Sequence, residues 1–225
     1  MPEIFAHRGL HISERENTIG AFKAAVALGV DGVELDARHT RDGVLVVHHD
    51  AHIGHLIIAD SLASELPDYV PTLEEVMKVC DGVTVNVEIK NISSEPGYDK
   101  TGDFARSVLN CLHENNWESN VIISSFDKET CAVVRSFDSM IDVAWLLWKE
   151  ELSDAITQCH VLGFNAINPH FSQVNAVVMH KAHELGIKVN TWTVNKPEDI
   201  TAMAQLGVNT IITDDPESAM SLTRQ

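Results

Sequence analysis

The sequence predicts a (β/α)8 TIM barrel formed by one domain over residues 1–225, and three observations carry that prediction. Eight short runs rich in β-branched and apolar residues alternate with amphipathic segments of helical length. The chain length of 225 residues is close to the roughly 250 that eight strand–helix units occupy. No glycine-rich phosphate loop follows the first run, where "AHRGLHIS" stands, so a doubly wound open sheet is the weaker alternative.

In chain order, the first strand is "EIFAHR", and "NTIGAFKAAVALG" is the helix after it, closed by Gly29. "GVELDA" is the second strand. The turn "TRDG" then leads into "GVLVVHHD", an extra apolar run that reads as a hairpin-like extension at the barrel mouth. Residues 51–70 fit no repeat and form an irregular excursion. Thr72 opens the helix "TLEEVMKVC" as an N-cap, with Glu75 at the capping-box position. The third strand, "VTVNVEIK", precedes the helix "DFARSVLNCLHENN". "NVIISSF" and "KETCAVVRSF" make the fourth unit, and "IDVAWLL" and "SDAITQCH" the fifth. "FNAINP" is followed by "NAVVMHKAHELG", and "IKVNTWTV" by "PEDITAMAQLG", with Gly186 and Gly207 closing the two helices. "VNTIITD" is the eighth strand.

Composition narrows the function. A net charge of −17 argues against nucleic acid or a stable association with an anionic membrane, because both would repel the chain. Cys80, Cys111, Cys131 and Cys159 are spread without a C-x-x-C pair and read as reduced, buried thiols. The start "MPEIFAHRG" lacks a basic region followed by an apolar segment, and no run is long enough to span a bilayer. The expectation is a cytoplasmic enzyme. Oligomeric state is not encoded in any motif.

In a barrel of this kind chemistry gathers where strands end. There the sequence puts His7 and Arg8, Glu34 and Asp36, Glu88 and Lys90, then Ser125, Asn168, Trp192 and Asp214. Residues two apart on a strand share a face, so Glu34 and Asp36 point the same way, as do Glu88 and Lys90. Two like charges about 4 Å apart repel by roughly 4 kcal/mol at an effective dielectric near 20. Glu34, Asp36 and Glu88 therefore call for neutralisation, and an all-oxygen set suits one hard divalent cation, Mg2+ or Ca2+. The plainer alternative is a buried ion network in which Arg8 and Lys90 pair with these acids. His7 and His49 are the candidate proton-transfer pair, since imidazole titrates near neutrality. Asp50 is placed to orient its neighbour, and His48 faces the other side of the run. A zinc reading of "HHDAHIGH", with His52 and His55 joining His48 or His49, matches no strong spacing. His113, His160, His170, His180 and His183 are scattered and expected to be solvated.

At these residues the sequence resembles the glycerophosphodiester phosphodiesterase family. The resemblance runs through "HRG", "ENT", "GVDGVELDARHTRDGVLVVHHD", "PTLEEV" and "VNVEIK", with weaker echoes in "ISSF", "INPH", "NTWTVN" and "IITDDPE". It implies a (β/α)8 barrel that hydrolyses glycerophosphodiesters, as small-molecule substrates, to sn-glycerol 3-phosphate and an alcohol. It implies Glu34, Asp36 and Glu88 as metal ligands, His7 and His49 as general acid and base, and Arg8 and Lys90 as holders of the phosphate. Trp192 would pack against the glycerol backbone in the substrate pocket. The chain departs from the family in three places, one of them the short excursion at 51–70. Arg15 stands where a proline usually precedes "ENT", and "AHIGHLIIADS" lacks the arginine usual after the His-Asp pair. Rival readings are a phospholipase D-like or phospholipase C-like hydrolase of lipid phosphodiesters, a non-catalytic barrel that binds phosphorylated metabolites, and a metal-dependent sugar isomerase or aldolase.

Overall fold

Alternation along the strands sorts the chain into two surfaces. On the second and third barrel strands, Val33, Leu35, Ala37, Val85, Val87 and Ile89 belong to the buried apolar cluster that also holds Phe22, Val76, Val108 and Val134 from the helices. The intervening Glu34, Asp36, Asn86 and Glu88 are buried polar residues of the opposite face. In the computed structural model, which describes residues 1–224, this pattern closes into a barrel.

The elements are β1 (Glu3–His7), α1 (Ile19–Leu28), β2 (Gly32–His39), β3 (Leu45–Val47), β4 (His52–Ile53), β5 (Leu56–Ile57), α2 (Leu73–Val79), β6 (Thr84–Ile89), α3 (Asp103–Glu114), β7 (Val121–Ser125), α4 (Lys128–Phe137), β8 (Asp142–Leu147), α5 (Leu152–Leu162), β9 (Ala166–Pro169), α6 (Ala176–Glu184), β10 (Lys188–Thr191), α7 (Pro197–Leu206), β11 (Thr210–Thr213) and α8 (Pro216–Thr223). Neighbouring barrel strands run parallel in the order β1-β2-β6-β7-β8-β9-β10-β11, and β1 closes the ring by pairing with both β2 and β11. The (β/α)8 expectation therefore holds.

Register decides which side chains meet. His7 lies level with Glu34, Asp36 with Glu88, and Glu88 with Ser124. The sequence's extra apolar run is β3, antiparallel to β2 with Ala37 opposite Val47. The excursion at 51–70 holds the small hairpin β4–β5 and two single-turn 3-10 segments. Thr72 and Glu75 form the expected capping box. A further helix, α8, follows the eighth strand; Asp215 caps it by accepting from the Ser218 N–H, and Pro216 opens it.

Candidate active site

The "HRG" segment leaves β1 in a strained backbone. Arg8 has φ 55°, a left-handed conformation that a non-glycine residue adopts rarely. Gly9 follows at φ 79°, and a Cβ there would lie 2.7 Å from the Ala21 carbonyl carbon, so α1 packs too closely for any side chain. The "ENT" segment is tied back to it. Asn17, also left-handed, donates its backbone N–H to the Arg8 carbonyl at 3.0 Å, and its side-chain amide donates to Asp36 Oδ2 at 2.7 Å. Glu16 takes two hydrogen bonds from one Arg8 guanidinium nitrogen, each 3.1 Å. This network aims Arg8 at the carboxylates.

Glu34, Asp36 and Glu88 are buried, with ligand oxygens within 4.8 Å of one another. Two cations stand among them. Arg8 Nε lies 3.2 Å from Asp36, and Lys90 Nζ lies 3.4 Å from Asp36 and 2.8 Å from Glu88. Burial alone would raise the Asp36 carboxyl, but Lys90, Arg8, His49 and the Asn17 amide together hold it well below the usual carboxylate range. Burial would lower Lys90, yet Glu88 and Asp36 raise its ammonium above its ordinary value. Glu34 goes the other way. Burial, then Asp36 and Glu88, push its carboxyl well up against the weaker pull of Arg8 and Lys90.

Arg8 and Lys90 thus pair with Asp36 and Glu88, as the plain ion network expects, and Glu34 is the third acid beside two cations. Among the described residues, Glu34 accepts one hydrogen bond, from the Arg8 backbone N–H at 3.1 Å, and His7 Nε2 lies 3.9 Å away. Glu88 Oε1, although 2.8 Å from Lys90, is buried without a well-directed hydrogen bond. An excess of buried carboxylate oxygen with open acceptor capacity fits a hard divalent cation.

Each candidate histidine is tethered through the same ring atom. His7 Nδ1 lies 2.6 Å from Asp214 Oδ1, and His49 Nδ1 lies 2.7 Å from Asp50 Oδ1. A carboxylate only accepts, so both Nδ1 atoms carry the proton and both Nε2 atoms are left for chemistry. His7 Nε2 lies on the side of Glu34. Asp214 is further held by Asn195, whose amide donates to Oδ2 at 2.6 Å, and it takes a second imidazole, His11 Nε2, on Oδ1 at 2.9 Å. Burial would raise Asp214, but hydrogen bonds from His7, His11 and Asn195 and the charge of His7 hold it well below its ordinary value. Sequence reasoning named Asp214 as a strand end without a partner and passed over His11.

It also passed over Arg38. This buried guanidinium donates to the carbonyls of His48 and His49 and pairs with Glu95 at 2.8 Å, fixing the segment that carries His49. His48 donates Nδ1–H to the Asp50 carbonyl at 2.9 Å, on a path separate from His49. Arg15, the departure before "ENT", lies over the Tyr69 ring at 3.7 Å and pins the end of the 51–70 excursion.

One cavity of about 330 Å³ gathers these groups, at the small end of the roughly 300–1,000 Å³ typical of small-ligand sites. His7, Arg8, Glu34, His49, Glu88, Lys90 and Trp192 line it, with Asp36 buried behind Arg8 and Lys90. Trp192 is held by its indole N–H, which donates to the Asn168 carbonyl at 2.7 Å, and its ring meets Phe126 edge-on at 5.5 Å. His170 corrects the sequence reading. Expected to be solvated, it is half-buried between Trp148 and Trp192, with ring centroids 5.1 and 5.5 Å away. The zinc reading also fails: His52 and His55 are exposed, and among the described residues neither joins a group with ligand geometry.

The parallel barrel brings two tethered imidazoles, two cations and an acid cluster from its strand ends to one small cavity, a set suited to hydrolysis of a phosphoric diester. The glycerophosphoryl diester phosphodiesterase family model matches residues 7–69 and 57–218. The chain belongs to that family. It is 31% identical over 244 aligned residues to a glycerophosphodiester phosphodiesterase of Caldanaerobacter subterraneus subsp. tengcongensis, covering 99% of this chain and 98% of the relative. Among solved structures, a glycerophosphodiester phosphodiesterase from Parabacteroides distasonis superposes with a TM-score of 0.90 at 26% identity, covering 99% of this chain and 97% of that one. An Oleispira antarctica phosphodiesterase, solved in complex with the product sn-glycerol-3-phosphate, shares the fold at TM-score 0.90 and 20% identity, covering 100% and 98%. No described helix is long and apolar enough to cross a membrane.

Proposed function

We propose that residues 1–225 act as one barrel domain that hydrolyses glycerophosphodiesters to sn-glycerol 3-phosphate and an alcohol, with one divalent cation, Mg2+ or Ca2+, held by Glu34, Asp36 and Glu88. The observation that carries this reading is the unbalanced acid cluster sharing a cavity with Arg8, Lys90 and two Nδ1-tethered histidines. The product bound by the Oleispira antarctica enzyme supports the same substrate class.

The bound cation would supply charge stabilisation at a non-bridging phosphate oxygen. Arg8 and Lys90 offset the charge gathering on the phosphoryl oxygens. One of His7 and His49 takes a proton at Nε2 from the nucleophile, which is water or the neighbouring glycerol hydroxyl, and the other delivers one to the departing alkoxide; on the second route water then opens the cyclic phosphate. Trp192 forms a wall against the glycerol backbone. The net charge of −17 disfavours nucleic acid and anionic membranes as partners, and four unpaired cysteines fit a reducing, cytoplasmic setting.

The test is release of sn-glycerol 3-phosphate from glycerophosphocholine by purified protein, stripped with chelator and then given Mg2+, Ca2+ or Mn2+. Activity lost with chelator and restored by one of these ions is the expected outcome. Turnover that ignores the chelator would remove the metal, and product from lysophospholipid alone would move the substrate to the lipid class.

A further inference from the structure

The mechanism above uses His7 and leaves its neighbour His11 idle, although both imidazoles converge on one carboxylate oxygen. His7 Nδ1 and His11 Nε2 lie 2.6 and 2.9 Å from Asp214 Oδ1. The three ligand atoms sit within 4.8 Å of one another, and all three residues are half-buried, so the group is held yet reachable from solvent. We propose that His7, His11 and Asp214 form a second metal site, selective for a borderline transition ion such as Zn2+, whose occupation switches the enzyme off.

Ligand chemistry separates this site from the acid cluster. Glu34, Asp36 and Glu88 offer only oxygen, which suits Mg2+ or Ca2+, whereas two imidazoles and one carboxylate suit Zn2+. Three protein ligands leave a tetrahedral ion one open position for water. Bonds of about 2.0–2.2 Å put tetrahedral ligands about 3.4 Å apart. The Asp214 oxygen, now 2.6 and 2.9 Å from the two nitrogens, then moves about 0.8 Å from one and about 0.5 Å from the other.

Metal ligands are oriented by neighbours at their second atoms, and two of these three ligands already have such a neighbour. Asn195 fixes the free oxygen of Asp214 from 2.6 Å. The remaining nitrogen of His7 faces Glu34 at 3.9 Å, outside direct hydrogen-bond distance but on the side where its N–H would point. Protons balance without loss. Each neutral imidazole frees its lone pair by carrying its proton on the other ring atom, Nε2 in His7 and Nδ1 in His11.

Inhibition follows from that same proton, a consequence that rests on the catalytic role proposed for His7. With Nδ1 on the metal and the proton on Nε2, His7 no longer accepts a proton at Nε2, nor cycles between imidazole and imidazolium. Zinc would therefore silence the enzyme while Mg2+ or Ca2+ stays in the acid cluster.

The experiment compares wild type with His11→Ala, both saturated with Mg2+, and reads two signals. Zn2+ is titrated against phosphodiester turnover, and Co2+ is titrated against the visible absorption of a four-coordinate ion. Zinc should inhibit wild type, and His11→Ala should raise the half-inhibitory concentration at least about 10-fold, lose the Co2+ band and keep its zinc-free turnover. His11→Gln, which keeps side-chain volume and polarity, should behave alike if the metal ligand is what matters. Equal zinc sensitivity in wild type and variant, or an unchanged Co2+ band, would overturn the proposal by placing the ion among the acids. A protein with a His11-dependent Co2+ band but no turnover of any glycerophosphodiester would keep the site and refute the proposed function.

Discussion

At the scale of single residues, the two candidate proton-transfer histidines have the same tether but different braces. His7 leans on Asp214, whose other carboxylate oxygen is held by Asn195. His49 leans on Asp50, whose side chain is 72% exposed and has no comparable brace. His7→Ala and His49→Ala should each lower kcat by at least about 10²-fold, and the variant that keeps near-normal turnover leaves the mechanism. Of the tethers, Asp214→Asn should reduce kcat more than Asp50→Asn with little change in KM, because water replaces a largely exposed partner more readily than a half-buried one. Equal effects would mean that the brace is not used. The acids and cations were legible in the sequence because strand alternation places residues two apart on one face. The tether on His7 was not, since Asp214 lies 207 positions away and meets it only when β11 closes on β1. Arg38 escaped for a related reason: its role is to hold two backbone carbonyls, and no residue pattern announces that.

At the scale of elements, Asp138 joins three pieces of the barrel wall. It follows α4, and its carboxylate accepts from the backbone N–H groups of Met140 and Ile141 at 2.7 and 3.1 Å, and from His113 in the last turn of α3 at 2.8 Å. Burial would raise this carboxyl, but those hydrogen bonds and the His113 charge bring it below its ordinary value. The folded state therefore binds the proton less readily than the unfolded chain. The contribution to stability is complete above the unfolded value near 3.9 and is lost as pH falls through the lower folded value. Asp138→Ala should cost about 1–3 kcal/mol at neutral pH, read as a lower urea midpoint. The gap to wild type should narrow below about pH 4; a gap independent of pH would assign the effect to helix shape rather than to the carboxylate. Seven of the barrel helices carried enough apolar periodicity to be read directly, whereas α8, with its eight residues "PESAMSLT", did not. Its signal is the cap and proline at its start, Asp215 and Pro216, which a search for long apolar stripes passes over.

At the scale of the whole molecule, the charge of −17 and the local cations at the cavity act against each other on an approaching substrate. A phosphodiester whose alcohol is uncharged carries one negative charge and meets the repulsive field of the chain before it reaches Arg8 and Lys90. Glycerophosphocholine is a zwitterion with no net charge, and that field acts on it far less. Screening shortens the reach of the field from about 30 Å at 0.01 M salt to about 10 Å at 0.1 M. Arg8 and Lys90 are largely withdrawn from solvent, so salt weakens their hold on a bound phosphate less than it weakens the long-range repulsion. Raising salt over that range should therefore increase kcat/KM for an anionic diester such as glycerophosphoglycerol and leave glycerophosphocholine nearly unchanged. A fall in kcat/KM for the anionic diester would show that Arg8 and Lys90 dominate the potential at the mouth, and that the acidic surface of the barrel does not govern encounter.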